Sequence, residues 1–180
     1  LPQTDGMPPQ LLQSPDDKND DGTIATASAG ADLPPALAPR SLVWKDGGAL
    51  VVSGVSRGGV RVSARADDLA FGAGQVWTDG SWQVAGKVNM DVAGQAMQFI
   101  LHDGDGNAVA TYTLPVATRD LSRGLDGSRM VVVQRGDALW RIAYSSYGEG
   151  VRFVDIVRRN ADAINDPDLI FPNQIFTIPD

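Results

Sequence analysis

The sequence predicts a multidomain chain: a disordered N-terminal tail, then an all-β sandwich, then a small α+β unit of order β-α-α-β. Three observations predict it. Composition changes sharply near residue 40, short β-rich runs broken by Asp-Gly turns fill the middle, and a helical apolar period is confined to the C-terminal end. At 180 residues the chain has room for one medium domain or two small ones, and this unevenness favours two.

Residues 1–40 hold most of the eleven prolines and no aromatic residue. Too little apolar surface is available there to offset the entropy of ordering, so they read as a Pro/Asp/Ala-rich tether of extended and coil segments. Within it, Asp17-Lys18-Asn19-Asp20-Asp21-Gly22 copies the front half of a calcium loop. Ser28 stands where the closing bidentate Glu is required, and the Pro-rich flanks offer no helices, so a solvated acidic linker is expected. Leu1 is neither the start of a signal peptide nor an initiator Met, as expected of a mature form or a fragment of a longer protein.

Residues 41–118 carry the sandwich. Strands are expected near Ala49–Val55, Val60–Ala66, Gln75–Trp77, Trp82–Val88, Ala96–His102 and Val109–Val116. Asp79-Gly80 falls between Trp77 and Trp82, and Asp103-Gly104-Asp105-Gly106-Asn107 between two alternating runs, as hairpin turns do. The second turn also mimics a calcium loop, but Ala108 occupies the glycine position and Leu114 the glutamate position, which favours the turn. Trp44, Trp77 and Trp82 offer either sugar platforms or core, and at least two are expected in the core of so small a sandwich. Residues 119–128 have charge and Gly without an apolar period and read as an interdomain linker.

Residues 129–180 form the last unit. Met130-Val131-Val132-Val133 is a β-branched run, and Gly136-Asp137-Ala138-Leu139 turns it into a helix that Asp137 is placed to cap. Leu139, Ile142, Ala143 and Tyr147 lie on one helical face; after Gly148-Glu149-Gly150, Phe153, Ile156 and Val157 repeat the spacing. Asn165-Asp166-Pro167 ends the helical reading, and Gln174 to Ile178 supplies a final strand.

The residues themselves, Val133-x-x-Gly136-Asp137-x-Leu139-x-x-Ile142-Ala143, Asn160, and Asp168-Leu169-Ile170-Phe171-Pro172-x-Gln174-x-Phe176-x-Ile178-Pro179, resemble the LysM domain along its whole length. Two positions depart from that pattern. Ala138 stands where the family usually has Thr or Ser, and Asn173 where it usually has Gly; Asn is the next most tolerant residue of a left-handed backbone. The resemblance implies a peptidoglycan or chitin-like glycan containing N-acetylglucosamine, held in a shallow groove. Its walls would be Gly136, Asp137, Ala138, Leu139 and Trp140 on one side and Asp168, Leu169, Ile170, Phe171 and Pro172 on the other. Leu139 is equally placed to be core, and Trp140, off the main stripe, to be partly exposed. The stretch from Gly54 to Val116 resembles bacterial Ig-like domains that precede LysM modules in envelope proteins, which implies a spacer or a docking surface for an envelope partner.

Charge and residue inventory narrow the function classes. A formal net charge of -7 argues against nucleic acid and against anionic membranes, and no apolar run reaches a membrane-span length. The absence of cysteine excludes disulfides, thiol nucleophiles and thiolate metal sites, and no cofactor is implied. His102 is the only histidine, at a strand end without a nucleophile context, so no enzyme is expected. The C-terminal unit is near charge balance, which gives no overall attraction to anionic polymers. The expectation is a non-catalytic periplasmic or envelope protein anchored to the cell wall. One alternative is a protein-interaction role for the LysM unit. Another is an ion-binding one, because Asp166-Pro167-Asp168-Leu169-Ile170-Phe171-Pro172 also resembles the LysM variant attached to a BON domain in small potassium-binding proteins, although no BON-like alternation precedes it here.

Overall fold

The computed structural model describes residues 35–180. The Asp17–Gly22 loop and most of the tether lie outside those residues. The first strand, β1 (Leu37–Lys45), precedes every strand expected from the sequence, with Leu37 and Ala38 buried, so the boundary set at residue 40 falls inside it. There follow β2 (Ala49–Ser56), β3 (Arg61–Ala66), β4 (Leu69–Gln75), β5 (Ser81–Gly86), β6 (Gly94–His102) and β7 (Ala108–Ala117). The strand expected at Gln75–Trp77 reduces to an isolated bridge between Val76 and Trp82, and the true strand β4 ends where that one was to begin.

These strands face each other in two antiparallel sheets. One runs β5-β2-β1 and continues beyond β1; the other runs β4-β3-β6-β7. Alternation sets the inner faces: Leu42, Leu50 and Val52 from one sheet meet Val62, Phe99, Leu101 and Leu114 from the other. Trp82 lies at the centre with its ring 5.4 Å from that of Phe99. Trp44 is half-buried at the margin, its indole N–H donating to Leu121 O at 2.9 Å, whereas Trp77 is exposed. Between the edges β4 and β5 the backbones nearly touch. A Cβ at Gly74 would come 1.9 Å from Gln83 O, so only glycine permits that approach.

The residues expected as a linker are ordered onto this body. A short helix α1 (Thr118–Ser122) buries Leu121, whose carbonyl accepts from the Trp44 indole. Then come β8 (Arg129–Val132), α2 (Leu139–Tyr147), a 3₁₀ turn (Gly150–Arg152), α3 (Phe153–Arg159) and β9 (Ile175–Ile178). The second helix ends at Asn160, earlier than the Asn165-Asp166-Pro167 stop read from the sequence.

The β-α-α-β unit is not a separate body. Strand β8 pairs with β1 (Ser41 opposite Val131, Leu42 opposite Met130) and β9 pairs with β8, so one five-stranded sheet runs β5-β2-β1-β8-β9 through both halves. Both faces of β8–β9 are therefore covered. Met130, Val132 and Ile175 point into the sandwich core, while Val133, Phe176 and Ile178 point into a second core with Leu139, Ile142, Ala143 and Ile156. The unbroken run Met130-Val131-Val132-Val133 has this as its physical reason, since a strand buried on both faces has no polar face to alternate with.

Candidate functional site

The turn from β8 into α2 forms one wall of a groove. Gly136 adopts φ +84°, a left-handed geometry that lets the chain reverse in two residues, and its carbonyl accepts from Arg141 Nη1 at 3.2 Å. Asp137 does not cap α2. Its Oδ2 accepts from the Gln134 N–H at 2.8 Å and its own N–H donates to Gln134 O at 3.0 Å, so the side chain closes the turn behind it. The capping position falls one residue later, on Ala138, which has no side-chain acceptor to offer.

The opposite wall is the segment from Asp166 to Gln174, a loop held by local hydrogen bonds. Asp166 Oδ1 accepts from Asp168 N at 2.9 Å, and Gln174 Oε1 accepts from Phe171 N at 2.7 Å. Asn173 has φ +70°, the left-handed conformation anticipated for that position, and its N–H donates to Val133 O at 2.9 Å. That bond fastens the loop to the end of β8.

Between the walls lies a groove of about 270 Å³ lined by Asp137, Ala138, Leu139, Trp140, Phe153, Pro167, Asp168 and Ile170. Six of these were expected from the sequence. Leu139 is both core and groove: its side chain is 3% exposed within the second core, yet it lines the floor. Trp140 is 55% exposed, with the Arg141 guanidinium 5.4 Å from its ring centroid. Gly136, Leu169, Phe171 and Pro172 lie outside the lining, and the last three are exposed on the same loop. Phe153 and Pro167 were missed. Phe153 belongs to an apolar helical stripe and Pro167 to a helix-stopping Asn-Asp-Pro run, although the place of Pro167 beside Asp168 is a usable signal.

The chemistry of this groove suits a neutral polar ligand with an apolar face. Trp140, Phe153, Ile170 and Pro167 give apolar contact, while the carboxylates of Asp137 and Asp168 offer acceptors from opposite walls. The family comparison falls on this same unit: the LysM domain model matches residues 131–179. Residues 131–179 are a LysM domain. LysM domains generally bind peptidoglycan or chitin glycans. No curated protein and no solved structure matches the chain.

Other sequence candidates are placed away from the LysM groove. His102 Nε2 lies 2.7 Å from Ser63 Oγ and its Nδ1 lies 3.2 Å from Gly106 O. A carbonyl can only accept, so the Nδ1–H donates to Gly106 O. In the second calcium-like loop, Asp103 Oδ1 accepts from Asp105 N and Asn107 N at 3.0 and 2.8 Å, and Oδ2 from Asn107 Nδ2 at 3.2 Å. Those N–H bonds, the Asn107 ones first, hold the Asp103 carboxyl below its usual range and occupy its oxygens within the turn. Among the described residues, no helix is long and apolar enough to cross a membrane.

Proposed function

We propose that this protein binds an N-acetylglucosamine-containing glycan of the peptidoglycan type in the LysM groove and thereby holds an envelope protein to the cell wall, without catalysing a reaction. The observation that carries the reading is the convergence of Asp137, Ala138, Leu139 and Trp140 with Pro167, Asp168 and Ile170 on one depression. Backbone groups of the two loops meet the acetamide, and Trp140 stacks on a sugar face. The cell envelope, on the periplasmic side, is the compartment where such a ligand is found.

The sandwich is of the Ig-like type on this reading and serves as the spacer and docking body for the envelope partner. Supporting it, the first, second and fifth strands share one sheet and the third, sixth and seventh the other, as in immunoglobulin sandwiches, with the fourth strand on the second sheet.

The test is co-sedimentation of the whole chain with purified peptidoglycan sacculi, with a soluble chitin oligomer as competitor. Trp140→Ala is the informative variant because its ring lies outside the core; Leu139 is unsuitable, since replacing it tests folding. Pelleting that the oligomer abolishes and Trp140→Ala weakens roughly tenfold is expected. A folded chain that stays in the supernatant overturns the assignment.

A further inference from the structure

A second cavity, of about 300 Å³, opens on the other side of the start of α2, and three arginines from three distant segments line it: Arg40 of β1, Arg129 of β8 and Arg141 of α2. None of the three takes part in an ion pair among the described residues. The hydroxyl residues Ser145 and Ser146 complete its polar wall. Asp137 is the one carboxylate of the lining, and its Oδ2 is engaged by the Gln134 N–H. The near charge balance of residues 129–180 conceals a local concentration of guanidinium groups, to which Arg40 of β1 adds a third.

The position of Arg40 is built into the fold. Pro39 pairs with Gly54 and Ser41 with Ser53, so Arg40 is the extra residue of a β-bulge in β1. Bulges redirect side chains at functional places, and this one is fixed from the LysM side. The buried Gln134 amide donates to Pro39 O at 2.8 Å, taking up the carbonyl next to the bulge. Sheet extension through β8 and the bulge thus bring Arg40 and Arg129 to one cavity, which neither half of the chain forms alone.

Asp137 lines this cavity and the glycan groove alike, so the two sites share a wall residue just before α2. We infer that the arginine cavity is an anion subsite, and that it receives a carboxylate of the peptide substituent carried by a peptidoglycan strand lying in the groove. This rests on the glycan reading of the groove. Guanidinium forks match carboxylates in a bidentate manner, and the N-acetylglucosamine chain of chitin carries no such group. The subsite therefore separates peptidoglycan from chitin.

The experiment measures affinity of the whole chain for three soluble ligands of equal glycan length: a muropeptide oligomer with free stem carboxylates, the same oligomer with those carboxylates amidated, and a chitin oligomer. The double variant Arg40→Gln, Arg129→Gln is measured beside it, because neither residue lines the groove; Arg141 is left in place because it supports Gly136 and Trp140. The wild type is expected to bind the acidic muropeptide about tenfold more tightly than the other two, a modest gain for one desolvated charged contact. The variant is expected to bind all three alike, with its chitin affinity and melting temperature unchanged. Equal wild-type affinity for the acidic and amidated ligands overturns the subsite while leaving the groove standing, as does a variant that weakens all three equally. Failure of all three ligands to bind overturns the groove reading and the subsite with it.

Discussion

Asn160 is fully buried between α3 and β9, and every polar atom of its side chain is used. Nδ2 donates to Ile156 O and to Thr177 O, each at 2.8 Å, and Oδ1 accepts from Thr177 N at 2.8 Å. One amide thus ends the helix and fastens the last strand to it. Asn160→Ala would leave the Thr177 N–H and carbonyl buried without their side-chain partner, while Ile156 O keeps the backbone N–H of residue 160, at a cost of roughly 2–4 kcal/mol. Urea unfolding of the variant measures this, and a loss below about 1 kcal/mol would mean that the vacated groups find other partners. Asn160→Asp should cost a similar amount, since a carboxylate can accept from Thr177 N but cannot donate to either carbonyl. In the sequence, Asn160 was visible only as a position of the LysM pattern, because asparagine is usually a surface residue.

Helix α2 starts without a side-chain cap, and this is the element where the departure at Ala138 has a physical consequence. Ala138 has φ -133° and ψ 149°, the extended geometry of a capping residue, and lacks the oxygen that would accept from the first free N–H groups. Ala138→Thr should stabilise the fold by about 1 kcal/mol, raising the melting temperature by roughly 2–4 °C, and would also place a hydroxyl on the groove wall. A thermal melt with no rise would show that the backbone at Ala138 cannot present a cap. At this scale the sequence was most legible where period and punctuation agreed. α2, β6 and β7 fall close to their expected places, since apolar spacing and glycine-containing turns both mark them, whereas α3 stops short of its expected end. β1 was hidden because Ala38-Pro39-Arg40 continues the composition of the tether, and the bulge at Arg40 breaks its alternation. β4 was hidden because its glycines, needed for the close approach to β5, remove the side chains on which a strand reading depends. The groove was legible for six lining residues because they belong to two short loop motifs. The arginine cavity was not legible at all, since its three arginines meet only through the pairing of β1 with β8.

The whole molecule is joined along that pairing, and the joint has a polar margin as well as an apolar centre. Tyr112 of β7 donates its hydroxyl to Asn173 Oδ1 at 2.6 Å, so the residue that replaces glycine in the LysM loop also ties that loop to the sandwich. Burial raises the Tyr112 pKa above 10, which means the fold favours the protonated phenol. Its contribution is therefore complete below pH 10 and is lost as pH rises through the raised folded value. Tyr112→Phe should cost about 1 kcal/mol near neutrality, and the gap between variant and wild type should close in alkali; a constant gap would place the effect in packing instead. At the centre, Met130 has no exposed surface and lies in the sandwich core although it belongs to the first LysM strand. With residues of β8 and β9 shared between the two cores, the sandwich and the LysM unit are expected to unfold together. A single transition is expected in chemical denaturation, coincident by circular dichroism and by fluorescence of tryptophan, of which Trp44, Trp77 and Trp82 report on the sandwich and Trp140 on the LysM unit. Met130→Ala should lower that one midpoint for every probe by an amount equivalent to about 2–5 kcal/mol. Two separated transitions, or a Met130→Ala effect confined to the sandwich probes, would show that the continuous sheet does not couple the halves.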